Sequence, residues 1–289
     1  MPFGLIGSTV LCGVVHPIMG KITALAGNQW TLYQIDAFAD KVFSGNPAAV
    51  LPLEKWLPED TMQDIAMENN LSETAFVVKE GERFAIRWFT PTAEVNLCGH
   101  ATLATAFVIF RYLEPNKQEI EFDSRSGPLF VTKKGGEIRM DFPKDPPQPI
   151  SKQKEEIDEA LSASTVAVMK GKDDILAIMA TQSEVEGISP DFGLVSKLNC
   201  RGLIVSATGE NYDFVSRCFY PNYGVNEDPV TGSAHCLLAP YWSEVLDKKI
   251  LTARQLSRRG GSLTCKVEEN RVYLSGTCLP YMIGEITLP

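Results

Sequence analysis

A chain of 289 residues, 44% of them apolar, is long for a single core and suits two domains of about 120 to 150 residues. Its 27 basic against 36 acidic residues give a net charge of -9 with no basic run able to track a phosphate backbone, so nucleic acid is excluded as the expected partner. Seven cysteines without a Cys-x-x-Cys pair argue against a disulfide framework, and His16, His100 and His235 lie too far apart to suggest a ligand set. Reduced thiols in the cytoplasm, and no metal, are the expectation.

In chain order, residues 1–29 come first. The stretch 2–19 is uncharged and apolar, and Ala24-Leu25-Ala26 has the small-x-small look of a cleavage site. No basic residue precedes the run, and Gly4, Gly7, Gly13 and Pro17 interrupt it. It reads as a loosely attached extension rather than a signal peptide or a membrane-spanning helix.

Short apolar or alternating runs bounded by turn residues predict strands at 31–38, 74–78, 84–89, 120–122, 129–132 and 138–142. Helical spacing follows Pro58 (Met62, Ile65, Ala66) and recurs over 101–113 and 235–246. The class is α+β with much antiparallel sheet. The prolines at 143, 146, 147 and 149, followed by charged residues over 152–159, mark the link between halves. This division gives domains at 30–147 and 148–280, with a final strand at 281–289 able to return to the first.

Two segments repeat about 130 residues apart. Arg87-Trp88-Phe89-Thr90-Pro91 matches Arg217-Cys218-Phe219-Tyr220-Pro221, each followed by Val-Asn, as Val95-Asn96 and Val225-Asn226. Then comes a Gly-X-Ala turn opening an apolar helix: Gly99-His100-Ala101 in the first copy, and Gly232-Ser233-Ala234 in the second after a three-residue insertion. Helix N-termini carry unpaired N–H groups and partial positive charge, so each turn suits a carboxylate. If a pseudo-twofold axis relates the copies, both turns converge on one crevice.

The acids around them are unequal. Counting back eight residues from each hairpin glycine, Gly81 and Gly209, lands on Glu73 in one copy and Arg201 in the other. Glu73 stands at the mouth of an apolar strand, a suitable place for proton transfer. The insertion brings Asp228-Pro229 ahead of the second turn and makes Asp228 a candidate second carboxylate, with Ser233 as hydroxyl donor and His100 as its counterpart opposite. Pro229 is read as occupying the place of Cys98, and Cys98 as a small buried residue rather than a nucleophile. Ser44-Gly45-Asn46-Pro47 has turn chemistry that shapes the backbone near the site, and Asn46 is counted among the substrate-binding residues with Gly99, Ala101, Gly232 and Ser233. No Gly-x-Ser-x-Gly elbow or phosphate-binding loop is present.

Together these motifs resemble the phenazine-biosynthesis-protein-F-like family. They are Asp36-Ala37-Phe38, Phe43 to Val50, Asn70-Leu71-Ser72-Glu73-Thr74, Phe89-Thr90-Pro91, Cys98 to Thr102 and Glu227 to Ala234, and the resemblance runs from about Thr31 to the C-terminus. It implies a diaminopimelate-epimerase-like fold of two pseudo-symmetric domains, each a sheet wrapped around a central helix, with the active site between them. It also implies a cofactor-independent isomerase acting on a small anionic molecule. In that reading Glu73 removes and returns a proton, while His100 and Asp228 assist and Ser233 binds. A homodimer is implied, and no membrane partner. The alternatives are a non-catalytic binding or scaffold protein on the same fold, and an amino-acid racemase. The racemase is disfavoured because only the first turn is preceded by a cysteine.

Overall fold

The computed structural model describes residues 29–288. The extension, with Ala24-Leu25-Ala26, lies outside the described residues. The first half comprises β1 (Gln29–Ala37), β2 (Asn46–Leu53), α1 (Glu59–Asn69), β3 (Glu73–Glu80), β4 (Arg83–Phe89), β5 (Glu94–Val95), α2 (Gly99–Val108), β6 (Glu119–Asp123), β7 (Leu129–Lys134) and β8 (Glu137–Pro143). The second comprises β9 (Gln148–Pro149), α3 (Lys154–Leu161), β10 (Ala167–Lys170), β11 (Ile175–Ile178), α4 (Gln182–Gly187), α5 (Phe192–Val195) and β12 (Leu203–Thr208). It continues with β13 (Phe214–Tyr220), β14 (Val225–Asp228), α6 (Gly232–Val245), β15 (Ile250–Gln255), β16 (Gly261–Val267), β17 (Arg271–Gly276) and β18 (Cys278–Thr287).

The strand pairings repeat. β1 runs antiparallel to β2, β2 parallel to β3, and β3 antiparallel to β4, which carries the short β5 and a parallel β6 leading into the β6–β7–β8 meander. The second half reproduces every step with β10, β11, β12, β13, β14, β15, β16 and β17. β8 and β17 then join the halves antiparallel, from Arg271 opposite Pro143 to Gly276 opposite Ile138. Within the second half β9 pairs with β10, and β18 of the second half crosses to lie against β1 of the first. The architecture is α+β, two related domains wrapped in one continuous sheet.

Burial follows from this wrapping. β2, β3, β11 and β12 are covered on both faces, so they read as nearly unbroken apolar runs rather than alternating ones. α2 and α6 are apolar nearly all round, the mark of a central helix, and Leu103, Ala104, Leu237 and Leu238 enter one shared core. Two further cores lie outside the sheet, one under α1 with Met62, Phe76 and Phe89, the other under α3 to α5 with Ile157, Val185 and Phe219.

α6 contains Pro240, which cannot donate to the carbonyl of Cys236 one turn back. That carbonyl instead accepts the backbone N–H of Asp145 at 3.0 Å, so the proline-rich segment after β8 is docked onto the central helix of the second half.

Candidate active site

α2 begins at Gly99 and α6 at Gly232, and neither start is capped by a side chain. Of the outer helices, α4 is capped by Thr181 and α5 by Asp191, while α1 and α3 have no side-chain cap. A Cβ on Gly99 would lie 3.4 Å from the Cα of Gly232, and one on Gly232 equally 3.4 Å from the Cα of Gly99. The two turns therefore meet at the pseudo-twofold axis, their first-turn N–H groups uncapped at one junction. Ala101 is wholly buried. The residue matching Cys98 is Thr231 and not Pro229, because each directly precedes the glycine that opens its helix.

The register of β2 on β3 places Ala48 opposite Glu73 and so brings Asn46 and Glu73 to the same end of the sheet. Asn46 is positioned by Gly45, whose φ of +71° is open to glycine and where a Cβ would stand 2.2 Å from the carbonyl of Ala37. The Oε2 of Glu73 lies 3.2 Å from Nε2 of His100. The approach is not aligned as a hydrogen bond, and among the described residues neither buried atom has another partner. The other ring nitrogen, Nδ1, lies 3.5 Å from the Cys98 sulfur and 3.2 Å from the Asn46 amide nitrogen.

Asn46 links the halves. Its amide donates to Asp228 Oδ1 at 2.8 Å and to the Val230 carbonyl at 3.0 Å, while its own oxygen accepts from the Ser72 hydroxyl at 3.2 Å. The second oxygen of Asp228 accepts from the Thr231 hydroxyl. Gln255, wholly buried, clasps the same turn: it donates to the Asp228 carbonyl at 2.7 Å and accepts the Thr231 N–H at 2.9 Å. Arg87 forks onto Glu94 and Arg217 onto Glu227, so the arginine of each repeated motif pins the loop leading to its glycine turn.

Burial sets the electrostatics. It pushes Asp228 up to about 6, helped by the Glu73 charge and opposed by His100 and by its hydrogen bonds from Thr231 and Asn46. Burial also pushes the Cys98 thiol up to about 11. For His100, burial opposes the charged form, but Cys98 and Glu73 outweigh it and hold the imidazole well above its ordinary value.

Ser233 does not join Asp228. Its Oγ accepts from Arg201 Nη2 at 3.0 Å, and Arg201 forks onto the buried Asp174, with Nε donating to Oδ1 at 2.9 Å and Nη2 to Oδ2. The duplication thus sets Glu73 beside His100 in one half and Arg201 beside Ser233 in the other. Sequence reasoning passed over Arg201, Gln255, Thr231 and Ser72 as site residues. Gln255 carried a legible signal: Leu251, Ala253 and Gln255 are the inward positions of β15, and a polar side chain at an inward position needs a partner.

Among the described residues, Glu73, Cys98 and His100 form a group whose ligand atoms lie within 4.8 Å of one another.

This geometry has relatives. The profile of phenazine biosynthesis-like proteins, PhzC-PhzF, matches residues 35–284. The chain belongs to that family. An uncharacterised isomerase of Pseudomonas aeruginosa is 48% identical over 258 residues, covering 89% of this chain and 99% of its own length. A crystal structure of a PhzF-family protein from Enterococcus faecalis matches with a TM-score of 0.87 at 50% identity, covering 90% of this chain and 100% of that one. A hydroxyproline epimerase from Agrobacterium vitis shares the fold at a TM-score of 0.58 and 9% identity, over 91% of this chain and 94% of that one. As a PhzC-PhzF member the chain is an enzyme of the isomerase kind. No helix among the described residues is long and apolar enough to cross a membrane.

Proposed function

We propose that this isomerase moves a proton on a carbon of a small carboxylate-bearing substrate, without a cofactor, and that Glu73 is the group that takes and returns it. The observation that carries this reading is the Glu73–His100 pair: two buried polar atoms 3.2 Å apart, without other partners among the described residues, beside two uncapped helix starts. A carboxylate next to a protonated imidazole is held as a base, and the imidazolium can polarise or protonate the substrate as charge develops. The N–H groups at Gly99-His100 and Gly232-Ser233 would stabilise an enolate-like state. The Nδ1–H of that imidazolium would donate to the Cys98 sulfur 3.5 Å away, while Asp228 and the Val230 carbonyl hold the Asn46 amide that packs beside the ring.

The test is exchange of substrate carbon-bound hydrogen for deuterium across small hydroxy and amino acids. Glu73→Gln is expected to lower exchange by about a thousandfold or more while ligand binding persists. Exchange at the wild-type rate in that variant removes Glu73 from this role, and alkylation-sensitive exchange would favour a racemase working through Cys98.

A further inference from the structure

We infer that Arg201, acting through Ser233, makes the second-half side of the junction select a carboxylate and reject an ammonium group. The inference rests on the proton-transfer reading and adds to it the residue that decides which end of the substrate points where. The strand register makes Gly202 the counterpart of Glu73, because Thr74 faces Phe89 as Leu203 faces Phe219, so Arg201 stands one residue earlier; it approaches Ser233, the counterpart of His100, to 3.0 Å, while Glu73 lies 3.2 Å from His100. The polarity is reversed: a donor, Arg201, stands beside Ser233, and an acceptor, Glu73, beside His100.

The reversal follows from the donors. The Ser233 oxygen accepts from Arg201 Nη2, and its own hydrogen has no acceptor among the described residues. That hydrogen is left to donate to a ligand. Of the five guanidinium N–H groups, those on Nε and Nη2 are engaged by Asp174 and Ser233, while the Nη1 pair makes no bond among the described residues. The Tyr220 ring lies 5.5 Å from the guanidinium carbon, and its hydroxyl is buried without a partner. Both oxygens of Asp174 are occupied by Arg201. This wall therefore offers N–H and O–H donors, whereas the opposite wall carries the acceptor Glu73. An ammonium group here would meet the guanidinium and no free carboxylate, with only hydroxyl lone pairs on Ser233 and Tyr220 to accept from it, whereas a carboxylate can take both the Ser233 hydrogen and the Nη1 hydrogens.

Asp174 cancels the formal charge of Arg201, so the selection comes from the direction of the donors and is moderate in size. The pair also positions Ser233: without Arg201 the hydroxyl is free to rotate and offer a lone pair instead of its hydrogen.

Benzoate, benzamide and benzylamine titrated into the full chain by calorimetry provide the test, since they share a ring and differ in the group presented. Benzoate is expected to bind about tenfold more tightly than benzamide, and benzylamine to show no saturable binding. Arg201→Met and Ser233→Ala should each bring the benzoate-to-benzamide ratio near one, with Arg201→Lys in between. A ratio is read because general loosening of the site weakens both ligands alike. Ser233→Ala leaves the Arg201–Asp174 pair intact, so it decides the matter if Arg201→Met fails to fold. A wild-type ratio near one, saturable benzylamine binding, or an unchanged ratio in Ser233→Ala overturns the inference. Loss of the proton-transfer reading would show instead as Glu73→Gln keeping its exchange rate, which leaves this ratio untouched.

Discussion

In the first half, the strand that starts at Glu73 brings an acid to the imidazole of His100; in the second, the approach to β12 brings Arg201 to the hydroxyl of Ser233. Around these pairs the halves match in parallel pair, hairpin, short strand, central helix and meander. The comparison teaches where a duplicated chain can diverge. Strand pairing depends on backbone hydrogen bonds and on apolar faces that must stay buried, so both copies kept them. Residues at strand mouths and in first helical turns meet the junction and not the core, so they could change sign without unpicking the sheet.

The closeness of the two turns is the part of the symmetry most easily broken. Gly99→Ala and Gly232→Ala each add a methyl at ordinary contact distance, 3.4 Å from the other glycine. Each alone is expected to cost about 1 kcal/mol, but together they compete for one gap, and the double variant should exceed the sum by about 1 to 3 kcal/mol. Denaturant unfolding of the four proteins measures this. Simple additivity would mean that the halves do not abut at the turns.

Next in size is the asymmetry introduced by the insertion. The folded pKa of Asp228, about 6, lies above the 3.8 of an unperturbed aspartate. The folded state therefore binds this proton more tightly, and the ionised carboxylate costs stability above pH 6, up to about 3 kcal/mol. As pH falls through 6 toward 4 the cost vanishes. Asp228→Asn should accordingly raise the melting temperature at pH 8, confer little near pH 4, and lower turnover because Asn46, packed beside His100, loses its anchor. A stabilisation that is flat with pH would show that the carboxylate is not ionised in the fold.

The smallest effect is expected at Cys98. With its thiol pushed up to about 11 by burial, it is neutral at pH 7, and Cys98→Ala should keep turnover within about tenfold of wild type. A loss of several orders of magnitude would return the thiol to the chemistry.

Much of the frame was legible before any coordinates. The apolar runs at 74–78, 84–89, 120–122, 129–132 and 138–142 fall within strands, the run at 31–38 overshoots its strand by one residue because Phe38 turns out at a φ of 57°, and both Gly-X-Ala turns open helices. The second hairpin was less so: its strands are separated by 209–213, where the first turns over two residues, because Asp213 is held by Thr252 and Lys248 and takes the chain out of the ladder. The site was legible as a set of residues but not as a set of contacts. Ser233 and Asp228, five positions apart, were expected together and belong to different networks.

The sequence by itself determined the α+β class, the duplication and the family, because these rest on periodicity and on motifs whose order survives without coordinates. Only the tertiary structure decided that Asn46 reaches Asp228, 182 residues away, that Gln255 clasps the inserted turn, and that Arg201 belongs to Ser233. Those contacts depend on the parallel register of β2 with β3 and on the joining of β8 to β17, and spacing along a chain does not specify such distant pairings.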